Sequence, residues 1–89
     1  MTVIYWSNEA LEQRQFWKHT DTKIDKRIQK LLDNILLTPY DGIGKPEPLK
    51  HKLSGFWSRR IDQKHRLVYF FNEETKIIQI ESCKGHYYE

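Results

Sequence analysis

Glu47 stands between two prolines, Pro46 and Pro48, and a series of cations follows it: Lys50, Lys52, Arg59, Arg60 and Arg66, with Phe56 and Trp57 set among them. From Gly44 to Tyr69 there are seven Lys or Arg against Glu47 and Asp62, which leaves five net positive charges in a chain whose total is +3. The positive charge is therefore concentrated. A focused cationic field with aromatic rings inside it suits a single-stranded, phosphate-bearing partner. If that partner is RNA, its own 2′-hydroxyl can attack the adjacent phosphorus without metal or water. The protein must then supply a base for the hydroxyl, cations for the phosphoryl oxygens and an acid for the departing 5′-oxygen. Glu47 is the candidate base, because flanking prolines stiffen the backbone that carries it. Arg60 and Arg66 fall on neighbouring strands of a short hairpin, so their guanidinium groups can converge on one phosphate. His86 is the candidate acid, since histidine, with an ordinary pKa of about 6.5, exchanges protons near neutrality. Tyr87 beside it can stack on a base or donate a hydrogen bond.

Each of these residues also has a plainer reading. Glu47 can be a surface acid neutralising Lys45 and Lys50. Adjacent arginines on a sheet are often salt-bridge partners or aids to solubility, and Arg59 is assigned to that class. Strand alternation sends Arg59 to the face opposite Arg60, so only one of the two reaches a shared site. A histidine as close to the end of the chain as His86 is commonly frayed. His51 and His65 read as solvated or structural, and His19 as a favourable cation at a helix end. Cys83 reads as a small packing residue in a strand. There is no Cys or His pair at metal-ligand spacing, no Gly-rich phosphate loop and no nucleophile elbow, so neither metal nor cofactor is expected.

The elements that must position these groups follow from periodicity. Val3–Trp6 is β-branched and aromatic and reads as a strand. Ser7 caps a helix from about Asn8 to His19, with Glu9 in its first turn. Thr22 and Asp25 have the spacing of a capping box for a second helix. There Ile24, Ile28, Leu31 and Ile35 form one stripe, widened by Leu32 and Leu36, until Thr38-Pro39 ends it. The stripe reads as a core face, with a partner seam as the alternative. Tyr40 to Pro48 is a loop. The period then becomes two: a strand over Phe56–Ile61, a turn at Asp62–His65, a strand over Arg66–Phe71 and a last strand over Lys76–Cys83. The order β-α-α-β-β-β predicts an α+β domain, two N-terminal helices packed on a mainly antiparallel sheet.

Eighty-nine residues make one domain, 1–89. At 38% hydrophobic and 30% charged the composition is globular, not disordered. A single cysteine excludes an intramolecular disulfide and fits a reducing compartment. No apolar run approaches the roughly 20 residues that span a bilayer, and the first residues are too few for a signal peptide's apolar region. The expectation is a cytoplasmic protein with no membrane contact.

The run GKPEPLKHKLSGFWSRRIDQKHRLVY and the segment CKGHYY resemble the YoeB (also called Txe) family of bacterial toxin–antitoxin systems, within the RelE/ParE toxin superfamily. The resemblance covers nearly the whole chain. It implies an endoribonuclease that cleaves mRNA at the A site of the translating 70S ribosome, leaving a 2′,3′-cyclic phosphate or 3′-phosphate and a 5′-hydroxyl. The family's general base falls on Glu47 and its general acid on His86. The lysine of the KPEPLK motif falls on Lys50, the arginine ending SRR on Arg60, the arginine of HRLVY on Arg66 and the last tyrosine on Tyr87. With Lys52 and Trp57, Lys50 and Arg60 make the expected RNA-binding set. The resemblance further implies a YefM/Axe-like antitoxin with an acidic segment that folds on the toxin, and a homodimer. Two departures stand out. This chain continues past His-Tyr with Tyr88 and Glu89, and it carries Lys84-Gly85 where relatives often have Arg-Tyr or Lys-Tyr, which predicts a looser His86. Two other readings share the fold: a non-catalytic toxin that poisons gyrase, and a binder that blocks the ribosome.

Overall fold

Ser7 ends one element and starts the next. In the computed structural model, which describes residues 3–86, its hydroxyl accepts the Ala10 N–H at 3.0 Å and donates to the Glu81 carbonyl at 2.8 Å. It thus caps helix α1 (Asn8–Thr20) and also ties strand β1 (Val3–Trp6) to the other end of the chain. Helix α2 (Thr22–Leu37) follows after a single residue. Its cap is Asp21, whose carboxylate accepts the N–H groups of Lys23 and Ile24. The expected Thr22/Asp25 capping box is therefore displaced by one residue. Asp21 holds the extended backbone a cap requires, and Asp25 is engaged instead by Arg14 of α1.

The expected α+β architecture is present. Strands β2 (Glu47–Pro48), β3 (Trp57–Arg60), β4 (Arg66–Asn72) and β5 (Ile77–Ser82) join β1 in one sheet of order β1-β5-β4-β3-β2. Only β1 with β5 is parallel. Both helices cover one face, where Ala10, Trp17, Ile28, Leu31 and Ile35 pack against Leu67, Tyr69, Ile78 and Ile80. The α2 stripe is thus core. The opposite sheet face carries no helix among the described residues. Among these residues, too, no helix is long and apolar enough to cross a membrane.

The stretch expected as a loop up to Pro48 contains β2, a two-residue strand with Glu47 opposite Ser58 and Pro48 opposite Trp57. A proline in this sheet is tolerated because β2 is an edge. What holds β2 there is the path of the chain before it. Gly42 and Gly44 have φ of +116° and +82°, and a Cβ at Gly44 would come within 2.7 Å of Leu31 Cδ2. These turns lay residues 38–44 against the end of α2, and the Gly44 carbonyl accepts the Arg60 N–H at 2.7 Å.

Arg59 fastens the same segment from inside. It is fully buried. Nε donates to the Tyr69 hydroxyl, Nη1 to Asn34 Oδ1 and the Ile43 carbonyl, and Nη2 to the carbonyls of Thr38 and Asp41. All five guanidinium N–H groups thereby find acceptors, which is the condition for burying such a charge. Alternation had placed Arg59 away from Arg60, and it does lie there. Its role as a solubility residue is corrected: it is the polar centre of the core.

Candidate active site

Register decides which side chains share the open face. Residues directly opposite in an antiparallel pair point the same way. Glu47 pairs with Ser58, Ser58 with Val68, and Arg60 with Arg66. Glu47, Ser58, Arg60, Arg66 and Val68 therefore project from the helix-free face, with Arg60 exposed and Arg66 half-buried. Glu47 and the two arginines are brought together on adjacent strands, in the order β2, β3, β4.

Glu47 Oε1 lies 3.8 Å from Lys45 Nζ, with the two side chains 45% and 64% exposed. A contact that long between solvated groups holds neither firmly. Lys45, with φ of +50° next to Pro46, is part of the tight entry into β2. The pairing with Lys45 fits the plainer reading of Glu47 and leaves its carboxylate open to solvent.

Arg66 curls over the β3–β4 turn, donating from Nη1 to the carbonyls of Asp62 and His65 at 2.7 and 3.1 Å. Asp62 organises that turn by accepting the N–H groups of Lys64 and His65. Burial alone would raise the Asp62 carboxyl. The His65 and Lys64 N–H bonds, with the nearby charge of Arg66, bring it below its ordinary value instead.

His86 is exposed, yet the chain leading to it is tethered. The Cys83 N–H donates to Gln13 Oε1 at 2.7 Å, and the Cys83 carbonyl accepts from Trp17 Nε1 at 2.9 Å. The Gly85 N–H donates to His65 Nδ1 at 2.7 Å, and the Gly85 carbonyl accepts the Arg66 N–H at 3.1 Å. The last of these bonds extends the β4–β5 pairing past the end of β5. It seats the residue before His86 directly beside Arg66. The looseness expected of Lys84-Gly85 is thereby offset, because Gly85 is bonded at both its polar groups. Tyr87 lies outside the described residues.

Lys50 and Lys52 are exposed in the β2–β3 connection, which contains a short 3₁₀ turn at His51–Leu53. They lie at the end of β3 away from Arg60, so cations flank Glu47 on both sides along the sheet. Trp57 does not reach this face. It shares the parity of Arg59, packs with Tyr40 at a ring distance of 4.8 Å and leans on the core. The rings on the open side are Phe56 and Phe70, 5.8 Å apart. The alternation used to separate Arg59 from Arg60 already excludes Trp57 and selects Phe56. Phe70 becomes visible only once β4 is in register.

Cys83 is buried against α1, its Sγ 3.7 Å from the Ala10 carbonyl, and burial pushes its thiol from the ordinary 9.0 up to about 12. It is a packing residue. Among the described residues no three His, Cys, Asp or Glu side chains gather as a metal-ligand set.

Known proteins resemble this chain over nearly its full length. The chain is 46% identical to the toxin YoeB of Escherichia coli K12, over 94% of this chain and 98% of that one. A YoeB/ParE toxin from Agrobacterium tumefaciens superposes with a TM-score of 0.94 at 36% identity, covering 97% of this chain and all of the other. The YoeB toxin of Staphylococcus aureus, solved both in a heterotetrameric complex with YefM and as a dimer, superposes with TM-scores of 0.87 and 0.88 at 42% identity. Those two comparisons cover 97% or more of each chain. The sequence pattern of the YoeB-like toxins matches residues 6–87. The chain belongs to the family of YoeB-like toxins of bacterial type II toxin–antitoxin systems.

Proposed function

We propose that this toxin is an endoribonuclease that cuts mRNA in the A site of the translating ribosome by acid–base transesterification. The observation that carries the reading is the order of groups across the open face. Glu47 lies on one flank, the Arg60–Arg66 pair in the middle, and the tethered segment bearing His86 on the far flank. An in-line displacement at phosphorus needs its base and acid on opposite sides of the phosphate and cations between them. Glu47 takes the 2′-hydroxyl proton as O2′ bonds to phosphorus. The P–O5′ bond breaks, and His86 protonates the leaving 5′-oxygen. The products are a 2′,3′-cyclic phosphate and a 5′-hydroxyl. Arg66 and Arg60 bear the charge that builds on the phosphoryl oxygens, Lys50 and Lys52 hold flanking phosphates, and the Phe56–Phe70 pair offers a surface for a base. Tyr87 is assigned to the same site.

Ser58 and Val68 are buried on this face, while Arg60, Lys50 and Lys52 are exposed and Glu47 partly so; solvated groups of that kind orient a flexible strand poorly by themselves. A ribosome that presents mRNA in a fixed A-site geometry supplies the missing orientation. The cationic face also fits an acidic antitoxin segment of the YefM kind, and the assemblies solved for the S. aureus relative support an antitoxin complex and a homodimer here.

Mapping mRNA 5′ ends in a cell-free translation reaction tests the reading. Wild-type toxin should create new ends at A-site codons, while Glu47→Gln and His86→Gln lower the rate by about 10²–10⁴-fold each. Translation arrest with intact mRNA overturns the nuclease and leaves a binding toxin.

A further inference from the structure

We infer that His65 is a positioning residue, which holds His86 at the site by gripping the backbone of Gly85. The inference rests on the nuclease reading above and adds a residue to it. Gly85 has φ of +84°, a left-handed kink, and an added Cβ would meet nothing within 4 Å among the described residues. The described side chains therefore do not confine it sterically. Its two backbone hydrogen bonds do, and one of them ends on a side chain, His65 Nδ1 at 2.7 Å.

That imidazole is itself braced. Its ring stands edge-on to Trp17, with centroids 4.7 Å apart and planes at 69°. Trp17 is buried and donates from its indole N–H to the Cys83 carbonyl. One tryptophan thus holds the chain at Cys83 and backs the histidine that holds it at Gly85. Below the imidazole, Asp62 fixes the turn by accepting the His65 backbone N–H at 2.6 Å. An Nδ1 that accepts a hydrogen bond requires the neutral ring to carry its proton on Nε2. The grip therefore depends on a specific acceptor atom and not on bulk.

The test separates acceptor from ring. His65→Phe keeps a flat ring against Trp17 and deletes Nδ1, while His65→Asn restores an acceptor at a similar reach. In translation-coupled cleavage, His65→Phe should lower kcat between about 10- and 100-fold with KM unchanged, as a displaced acid does. His65→Asn should recover part of that loss. Amide hydrogen exchange on the free toxin gives a readout independent of activity: the Gly85 N–H should exchange at least about tenfold faster in His65→Phe, and 15N relaxation should show greater motion at His86. Should the Phe variant fail to fold, His65→Met carries the same expectations. Wild-type kcat in the acceptor-deleted variant, or unchanged protection at Gly85, overturns the inference. A wild-type toxin that cuts no mRNA overturns the nuclease reading instead, and the exchange measurement then judges the grip by itself.

Discussion

Arg59 and Arg60 are chemically identical neighbours with opposite fates. Arg59 directs five N–H groups at Tyr69, Asn34 and the carbonyls of Thr38, Asp41 and Ile43, all inside the fold. Arg60 points to solvent on the other face. Arg59→Leu removes the charge and leaves those acceptors facing an apolar side chain, so urea unfolding should show a loss of about 3–5 kcal/mol. Arg59→Lys should recover only part of it, since one ammonium cannot reach acceptors spread around a planar fork. Arg60→Ala should stay within about 0.5 kcal/mol of wild type while reducing mRNA cleavage. Equal stability of Arg59→Leu and Arg60→Ala would remove Arg59 from the centre of the core. The separation of the two arginines was legible in the sequence, because strand alternation depends only on neighbours. The burial of Arg59 was not, because four of its five acceptors come from residues 34–43, brought to it by turns at Gly42 and Gly44 whose path no local pattern reports. Trp57 stands among the cations in sequence, but its parity, that of Arg59, turns it toward the core side of the sheet.

At the scale of elements, the helices and the long strands announce themselves by period, and β2 does not. Two residues, one a proline, have no period; β2 is a strand only because Ser58 and Trp57 pair with it. Glu47 therefore owes its place to contacts distant in sequence, although its type and its prolines were legible as chemistry. The cap of α2 was misplaced by one residue for a related reason. Thr22 and Asp25 match a capping box in spacing, yet Asp25 is drawn to Arg14 on α1 and Asp21 takes the cap. Thermal melts discriminate the two assignments. Asp21→Ala should cost about 1 kcal/mol, and Thr22→Ala almost nothing. The reverse order would restore the capping box. Gly44→Ala acts on the other side of the same helix, where the positive φ and the close approach of Leu31 should together cost about 1–3 kcal/mol.

Across the whole molecule, the last strand is inserted between β1 and β4, so the fold closes only when both ends of the chain have met. Ser7 bonds to Glu81, Gln13 to Cys83 and Trp17 to Cys83. Cys83 is sealed beneath α1 by that closure, and its thiol, pushed up to about 12, stays protonated in the folded state at pH values where an unfolded chain ionises it. The folded-state value is raised, so the contribution to stability is complete below the unfolded pKa of about 9 and is lost as pH rises toward 12. In that interval the unfolded state binds one proton fewer, and stability falls by about 1.4 kcal/mol per pH unit for this group. Tyr69, raised chiefly by burial, adds a second loss at higher pH, but it is present equally in a Cys83→Ala variant and cancels in the comparison. Urea unfolding of wild type and Cys83→Ala at pH 8 and pH 10.5 isolates the thiol. Wild type should begin more stable because the variant leaves a small cavity, and the gap should shrink by about 2 kcal/mol at the higher pH. A gap independent of pH would mean that Cys83 ionises in place, and hence that the junction of the two chain ends admits water.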